Sequence, residues 1–161
     1  MKFTLSNTAA ALTAIAVIAA DQLQKWAMLH LIYTEHQPPI VVTDFFSLVM
    51  VWNHGVSFGM LNHPDAPMPY LITFLSLIIA AALARMALKT LRGDERFGYA
   101  LVIGGALGNV IDRLMHGAVA DFFYFHIGSL GWPAFNVADS AICIGVFILL
   151  IAMLRSSKVA A

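Results

Sequence analysis

Four stretches of this chain stay apolar for about the twenty residues that a helix needs to cross a bilayer core. The first runs over about residues 8–30 and carries Asp21, Gln22, Gln24 and Lys25 in its second half. The second, about 70–88, is free of acids. The third, about 97–115, holds Gly104, Gly105 and Gly108, and the fourth covers about 135–154. Between the first and second spans, residues 33–68 contain Pro38 and Pro39, then the β-branched and aromatic run from Ile40 to Trp52, then Asn53-His54-Gly55. That run is too short to cross a membrane, and its residue types favour strand. It predicts a small β element resting on the outer membrane surface. Residues 116–134 form a second outer segment, read as a loop centred on Ala120-Asp121-Phe122-Phe123-Tyr124-Phe125. The expected architecture is a membrane all-α fold: a bundle of four transmembrane helices with a small extracytoplasmic β element and outer loops. One domain over residues 1–161 accounts for the chain, since no linker or low-complexity segment divides it. The start has a rival reading as a cleavable signal peptide, because Lys2 precedes an apolar run ending at Val17-Ile18-Ala19-Ala20. Apolar character resumes at Trp26-Ala27-Met28-Leu29, long enough for a full span.

Composition agrees with a lipid environment. Of 161 residues 60% are apolar and 11% charged, against about 45–50% and 25% in ordinary globular chains, and mean hydropathy is +0.81. Nine basic and nine acidic residues cancel, and no basic stripe invites nucleic acid. The single cysteine, Cys143, excludes an internal disulfide. No Cys or His spacing suggests a metal, so no metal and no cofactor are expected. Charge placement adds topology. Seven of the nine basic residues (Lys2, Arg85, Lys89, Arg92, Arg96, Arg155, Lys158) fall on one side of a four-span layout. The positive-inside rule makes that side cytoplasmic, with both termini. Seven of the nine acids (Asp21, Glu35, Asp44, Asp65, Asp112, Asp121, Asp139) fall toward the other side.

Ionisable groups inside spans cost about 2.5–3.5 kcal/mol each on insertion scales, so they pair, line a cavity or do chemistry. Asp21, Lys25, Asn109, Asp112, Arg113, Asn136 and Asp139 all lie toward the outer ends of their spans, and Asp121 lies in the segment between. A bundle gathers them at one depth. Each has a simpler reading. Asp21 and Lys25 form an i,i+4 ion pair. Asn136 and Asp139 fit a helix N-cap with its N3 acid. Asp112, at a helix C-terminus, opposes the helix dipole and needs a partner, for which Arg113 is the near candidate. Gly104 and Gly108 fit close helix packing, within the bundle or between chains. Phe122, Phe123 and Phe125 fit interface anchors, Cys143 fits helix packing, and His54 and His63 fit solvated loops. Together, though, several acids and two asparagines converge without metal ligands. Two carboxylates sharing a site split their pKa values, so one serves as base on a water and the other as acid. Peptide hydrolysis at the outer membrane face is chemically adequate. A proton-coupled transporter would also gather acids, but along a path through the mid-membrane. A non-catalytic adaptor leaves the cost of so many carboxylates unexplained. On the residues alone, Asp121 and Asp112 are not separated, although Arg113 offers Asp112 a structural partner.

The motifs resemble those of the lipoprotein signal peptidases, signal peptidase II, over nearly the whole chain. They are Asp21-Gln22-Leu23-Gln24-Lys25, Asn53-His54-Gly55-Val56-Ser57-Phe58-Gly59, the glycine-rich stretch Gly104 to Arg113, Val119-Ala120-Asp121-Phe122 and Phe135-Asn136-Val137-Ala138-Asp139-Ser140. His54 departs from the threonine more usual there. The resemblance implies an aspartic endopeptidase of the bacterial inner membrane that cuts diacylglyceryl-modified prolipoproteins just before the lipid-bearing cysteine. It implies Asp121 and Asp139 as the catalytic dyad. Asn109, Asp112, Arg113, Asn136, Asn53, Gly55, Asp21 and Lys25 are carried over as supporting or substrate-binding positions. Membrane lipid and the lipidated precursor are the expected partners, nucleic acid is not, and a monomer is expected.

Overall fold

The computed structural model describes residues 4–32, 38–55, 68–128 and 130–157. Four long helices carry the chain: α1 (Asn7–Ala27), α2 (Met68–Lys89), α3 (Gly93–His116) and α4 (Val137–Ser157). Four strands accompany them: β1 (Ile40–Thr43), β2 (Phe46–Asn53), β3 (Val119–Ile127) and β4 (Leu130–Gly131). The fold is mostly helical with one small antiparallel sheet in the order β1-β2-β3-β4.

Helix ends follow local chemistry. Ser6 caps α1 by accepting from the Ala9 N–H at 3.0 Å. α1 runs into a π-helical turn, Met28–Ile32. α3 carries Asp94 and Glu95 in its first turn, where acids favour the helix dipole. It stops at Gly117, whose φ of 71° is left-handed and whose N–H returns to the Arg113 carbonyl at 3.0 Å.

α3 is the central helix and packs against α1, α2 and α4. Its glycines make that possible. A Cβ on Gly104 would stand 2.8 Å from the Ala14 carbonyl oxygen of α1, and one on Gly105 would collide with the Ala138 carbonyl of α4. One on Gly108 would meet the Asp21 carboxylate at 2.7 Å. The glycine stretch therefore packs helices within one chain. At the opposite end, Arg96 of α3 donates to the Leu5, Ala87 and Thr90 carbonyls. The start of α1, the end of α2 and the start of α3 are thereby gathered at one end of the bundle.

Much of the outer surface of α2 and α4 is apolar, including Phe74, Ile78, Phe147 and Leu150. Among the described residues, two segments are long and apolar enough to cross a membrane, Pro69–Lys89 and Val137–Arg155. α1 and α3 have the length, but the polar residues that face inward lower their apolar character.

Three sequence expectations change. The segment around Asp121 is not a loop: Val119–Ile127 is a strand, with Phe46 opposite Phe125 and Asn53 opposite Val119. Phe122 is not an interface anchor; it is fully buried in a cluster with Met28 and Ala120. Cys143 is exposed rather than packed between helices. The expected β element is present as β1 and β2. The remainder of that outer segment, with Glu35, His36, His63, Asp65 and the Val56-Ser57-Phe58-Gly59 half of the second motif, lies outside the described residues, as do Lys2 and Lys158.

Candidate active site

Of the five largest fully buried side chains, three are polar: Asn136, Asp21 and Asp121. Buried polar groups need partners, and here they satisfy one another in a network drawn from five elements.

On one side stands Lys25 of α1. Its ammonium lies 2.8 Å from Asp21 Oδ2, 2.8 Å from Asp112 Oδ2 and 3.1 Å from Asn109 Oδ1, which it donates to. Its three hydrogens have three acceptors. Gln22 adds a bridge, donating from Nε2 to Asp112 Oδ1 at 2.9 Å, to Asp21 Oδ2 at 3.2 Å and to the Gly108 carbonyl at 3.3 Å. The remaining carboxylate valences hold backbone. Asp112 Oδ2 accepts from the Ala120 N–H at 3.2 Å, and Asp21 Oδ1 accepts from the Ala138 N–H at 2.9 Å.

On the other side stand Asp121 and Asp139. β3 delivers Asp121. Asn53, diagonally across the sheet, donates to its Oδ2 at 3.2 Å, and Asn136 donates to its Oδ1 at 2.8 Å. Asn53 is itself held by a short turn in which its Oδ1 accepts from the Gly55 N–H at 3.1 Å. A register shift in β2 between Leu48 and Val51 adds a bulge just before this pair. Asp139 sits in the first turn of α4. Asn136 is the helix cap, with its Oδ1 accepting from the Asp139 N–H at 2.9 Å, while Asp139 Oδ2 accepts from the Asn136 N–H at 3.2 Å. That is a reciprocal capping box. Asn109 donates from Nδ2 to Asp139 Oδ1 at 2.8 Å, and Asn136 Nδ2 lies 3.2 Å from Asn109 Oδ1. The two asparagines therefore each serve one carboxylate and touch each other.

Asp121 and Asp139 form no ion pair among the described residues. Burial, and then the charge of Asp139, push the Asp121 carboxyl up to about 7. The hydrogen bonds from Asn53 and Asn136 pull the other way without winning. A cavity of about 520 Å³ opens beside Asp139, walled largely by Trp132, Pro133, Phe135, Ile142 and Ile144. The site thus presents a buried carboxyl, Asp121, that feels the charge of the partly buried Asp139, each held by amides, next to an apolar cavity.

The expected residues Asp21, Lys25, Asn53, Gly55, Asn109, Asp112, Asn136, Asp121 and Asp139 are brought together. Arg113 is placed differently from its expected role. The cation on Asp112 is Lys25, and the Arg113 guanidinium feels Asp139 and Asp121 ahead of Asp112. Its Nη1 makes one long contact, 3.4 Å, to the Asn109 carbonyl, and its buried Nε has no hydrogen-bond partner among the described residues. Gln22 was not singled out as a site residue, although it stands inside the first motif. No cluster of three or more metal-binding side chains occurs among the described residues.

The chain is similar to known proteins along most of its length. The family model described as signal peptidase (SPase) II matches residues 13–155. A lipoprotein signal peptidase of Azoarcus sp. (strain BH72) is 46% identical over 148 residues, covering 90% of this chain and 82% of the relative. One from Francisella tularensis subsp. novicida is 40% identical, covering 90% and 91%. Two solved bacterial membrane enzymes superpose with TM-scores of 0.82 and 0.81 at 28% and 26% identity. They cover 98% and 96% of this chain, and 94% and 98% of their own. With both its motifs and its fold accounted for, the chain belongs to the signal peptidase II family.

Proposed function

We propose that the chain removes signal peptides from diacylglyceryl-modified prolipoproteins, cutting just before the lipidated cysteine, with Asp121 and Asp139 as the catalytic dyad. Family membership carries the activity, a protease acting on prolipoproteins. The observation that carries the dyad is the pair of amide-held carboxyls, Asp121 buried and Asp139 partly buried, with no contacting cation among the described residues.

Asp121, with its pKa raised to about 7, is the proton holder in this reading. Asp139, ionised, takes a proton from a bound water, and the water oxygen attacks the scissile carbonyl carbon. Asp121 donates a hydrogen bond to the carbonyl oxygen, which becomes the gem-diol hydroxyl. Collapse breaks the C–N bond, and the proton held by Asp139 passes to the leaving amine. The pair titrates as a unit. Asn109 and Asn136 fix the carboxyl orientations, Asn53 and Gly55 shape the outer wall, and Arg113, with its unpartnered Nε, faces the dyad as a substrate-side donor.

The proposal extends to placement. The chain is a single multi-pass domain of the inner membrane, with α1 and α3 crossing as well as α2 and α4. Their polar residues face one another rather than lipid, which offsets the insertion cost. Both termini are cytoplasmic, the site lies toward the periplasmic face, and the enzyme acts as a monomer surrounded by lipid. The test is cleavage of a lipidated precursor by purified protein in detergent. Asp121→Asn and Asp139→Asn are each expected to abolish cleavage while thermal unfolding stays cooperative. Near-full activity in either variant overturns the dyad.

A further inference from the structure

Lys25 makes all its contacts away from the dyad, yet it is tied to both halves of it. Its ammonium bridges Asp21 and Asp112 at 2.8 Å each. Each of these carboxylates spends another hydrogen bond on one particular backbone N–H. For Asp112 the donor is Ala120, the residue before Asp121. For Asp21 the donor is Ala138, the residue before Asp139. β3 and the start of α4, which also meet through the Asn109 and Asn136 side chains and through backbone and ring contacts of Phe135, are thereby tied to one buried cation. Lys25 also donates to Asn109 Oδ1 at 3.1 Å, which turns Asn109 Nδ2 toward Asp139. A flipped amide would set two donors against each other at Lys25 and two acceptors at Asp139.

We infer that Asp21, Lys25 and Asp112 form a charge clamp that sets the separation of Asp121 and Asp139 by gripping the backbone immediately before each. This rests on the dyad reading and adds positioning residues to it. Lys25, with every hydrogen engaged and a side chain 4% exposed, has no hydrogen left to donate to substrate. The charged and titratable groups around the clamp are Asp21 on α1, His30 in the π-helical turn, Asp112, Arg113 and His116 on α3, Asp121 on β3 and Asp139 on α4.

A clamp predicts a signature that a fold-stabilising role does not. When it loosens, the carboxyls separate, their mutual repulsion weakens, and the acid and alkaline limbs of the pH–rate profile move toward each other. The decisive variants are Lys25→Met and Asp112→Asn, assayed in detergent on a lipidated precursor. Asp112→Asn keeps the shape, but its one oxygen cannot serve Gln22 on one side and Lys25 with the Ala120 N–H on the other, so it loosens the grip without stranding a buried charge as Lys25→Met does. Both are expected to lower kcat roughly 10- to 100-fold, with KM within about twofold, because misplacement of the reacting groups is what has changed. The limbs of the pH profile close together. Limbs that stay in place in Asp112→Asn overturn the clamp, whatever happens to yield or unfolding temperature. Asp121→Asn and Asp139→Asn are measured alongside: inactivity in both with unmoved limbs in Asp112→Asn removes the clamp alone, whereas activity in either removes the dyad and the clamp with it.

Discussion

Four aspartates meet at one end of this bundle, three buried and Asp139 partly buried, and they fall into two pairs. Asp21 and Asp112 share the ammonium of Lys25, and every oxygen is occupied by a cation, an amide or a backbone N–H. Among the described residues, Asp121 and Asp139 share no contacting cation and receive only amide donors, from Asn53 and Asn136 to one and from Asn109 and the Asn136 backbone to the other. The residue type is the same, and Asp139 alone of the four is only partly buried. The compensation differs. A compensated carboxylate is a structural anchor, because ion pair and hydrogen bonds repay much of its desolvation. An undercompensated pair holds a proton poorly placed for stability and well placed for transfer. The contrast separates structure from chemistry within a cluster that composition alone presents as uniform.

The largest expected effect tests the undercompensated pair. Removing either acid–base group from the dyad should cost roughly 10²–10⁴-fold in kcat, the usual worth of general acid–base catalysis. Asp21→Asn should cost less than Asp139→Asn, because its oxygen can still accept from the Ala138 N–H. Single-turnover cleavage of a lipidated precursor measures both, and an Asp21→Asn variant as inactive as Asp139→Asn would erase the distinction between the pairs.

The next effect tests the compensated pair. Lys25→Met strands two buried carboxylates, and breaking a buried ion pair by removing one partner costs roughly 3–5 kcal/mol. Adding Asp21→Asn and Asp112→Asn to Lys25→Met should recover part of that loss, since neutral amides no longer need the cation. Thermal or denaturant unfolding in detergent gives the comparison. On the α3–α4 seam lies Gly105, where a Cβ would collide with the Ala138 carbonyl. Gly105→Ala should cost about 1–3 kcal/mol through overpacking and lower activity, because it displaces the first turn of α4. Gly117→Ala, at a left-handed cap with nothing within 4 Å, should weaken the α3 terminus without touching the α3–α4 seam.

How far this was legible in the sequence depends on the range of each contact. The i,i+4 pair Asp21–Lys25 and the Asn136–Asp139 capping box are local, and spacing reveals both. The four long helices follow from apolar runs, although boundaries shift: α3 begins at Gly93 rather than near 97, and α4 at Val137 rather than 135. What spacing cannot reveal is that Lys25 reaches Asp112, 87 positions away, and so leaves Arg113 to the dyad. That single long-range contact is what separates Asp112 from Asp121. The strand Val119–Ile127 was hidden for a related reason. Its aromatic run reads equally as membrane anchors until β2 is available to pair with it, and only that pairing buries Phe122 and turns Asp121 inward.

The smallest effect sharpens the comparison at the proton itself. The ordinary carboxyl value for Asp121 is 3.8, and burial followed by the Asp139 charge raises it to about 7 in the folded chain. The folded state therefore binds a proton more tightly than the unfolded one. The stability that this contributes is fully present below the ordinary value and is lost as pH rises through about 7. Activity carries the same sign, because the proposed acid is lost when Asp121 ionises, so cleavage should fall on the alkaline side with a midpoint near 7. Asn53 opposes the shift by donating to the ionised carboxylate at 3.2 Å. Asn53→Ala removes that donor, favours the protonated form and should move the alkaline limb upward. Asp139→Asn removes the like charge, so Asp121 should titrate lower, while burial keeps it above its ordinary value. The Asp121 carboxyl followed by infrared difference titration reads both movements in opposite directions. If Asn53→Ala lowers the Asp121 transition instead, Asn53 is not a donor to the ionised form, and the amide-only account of the dyad fails at its outermost contact.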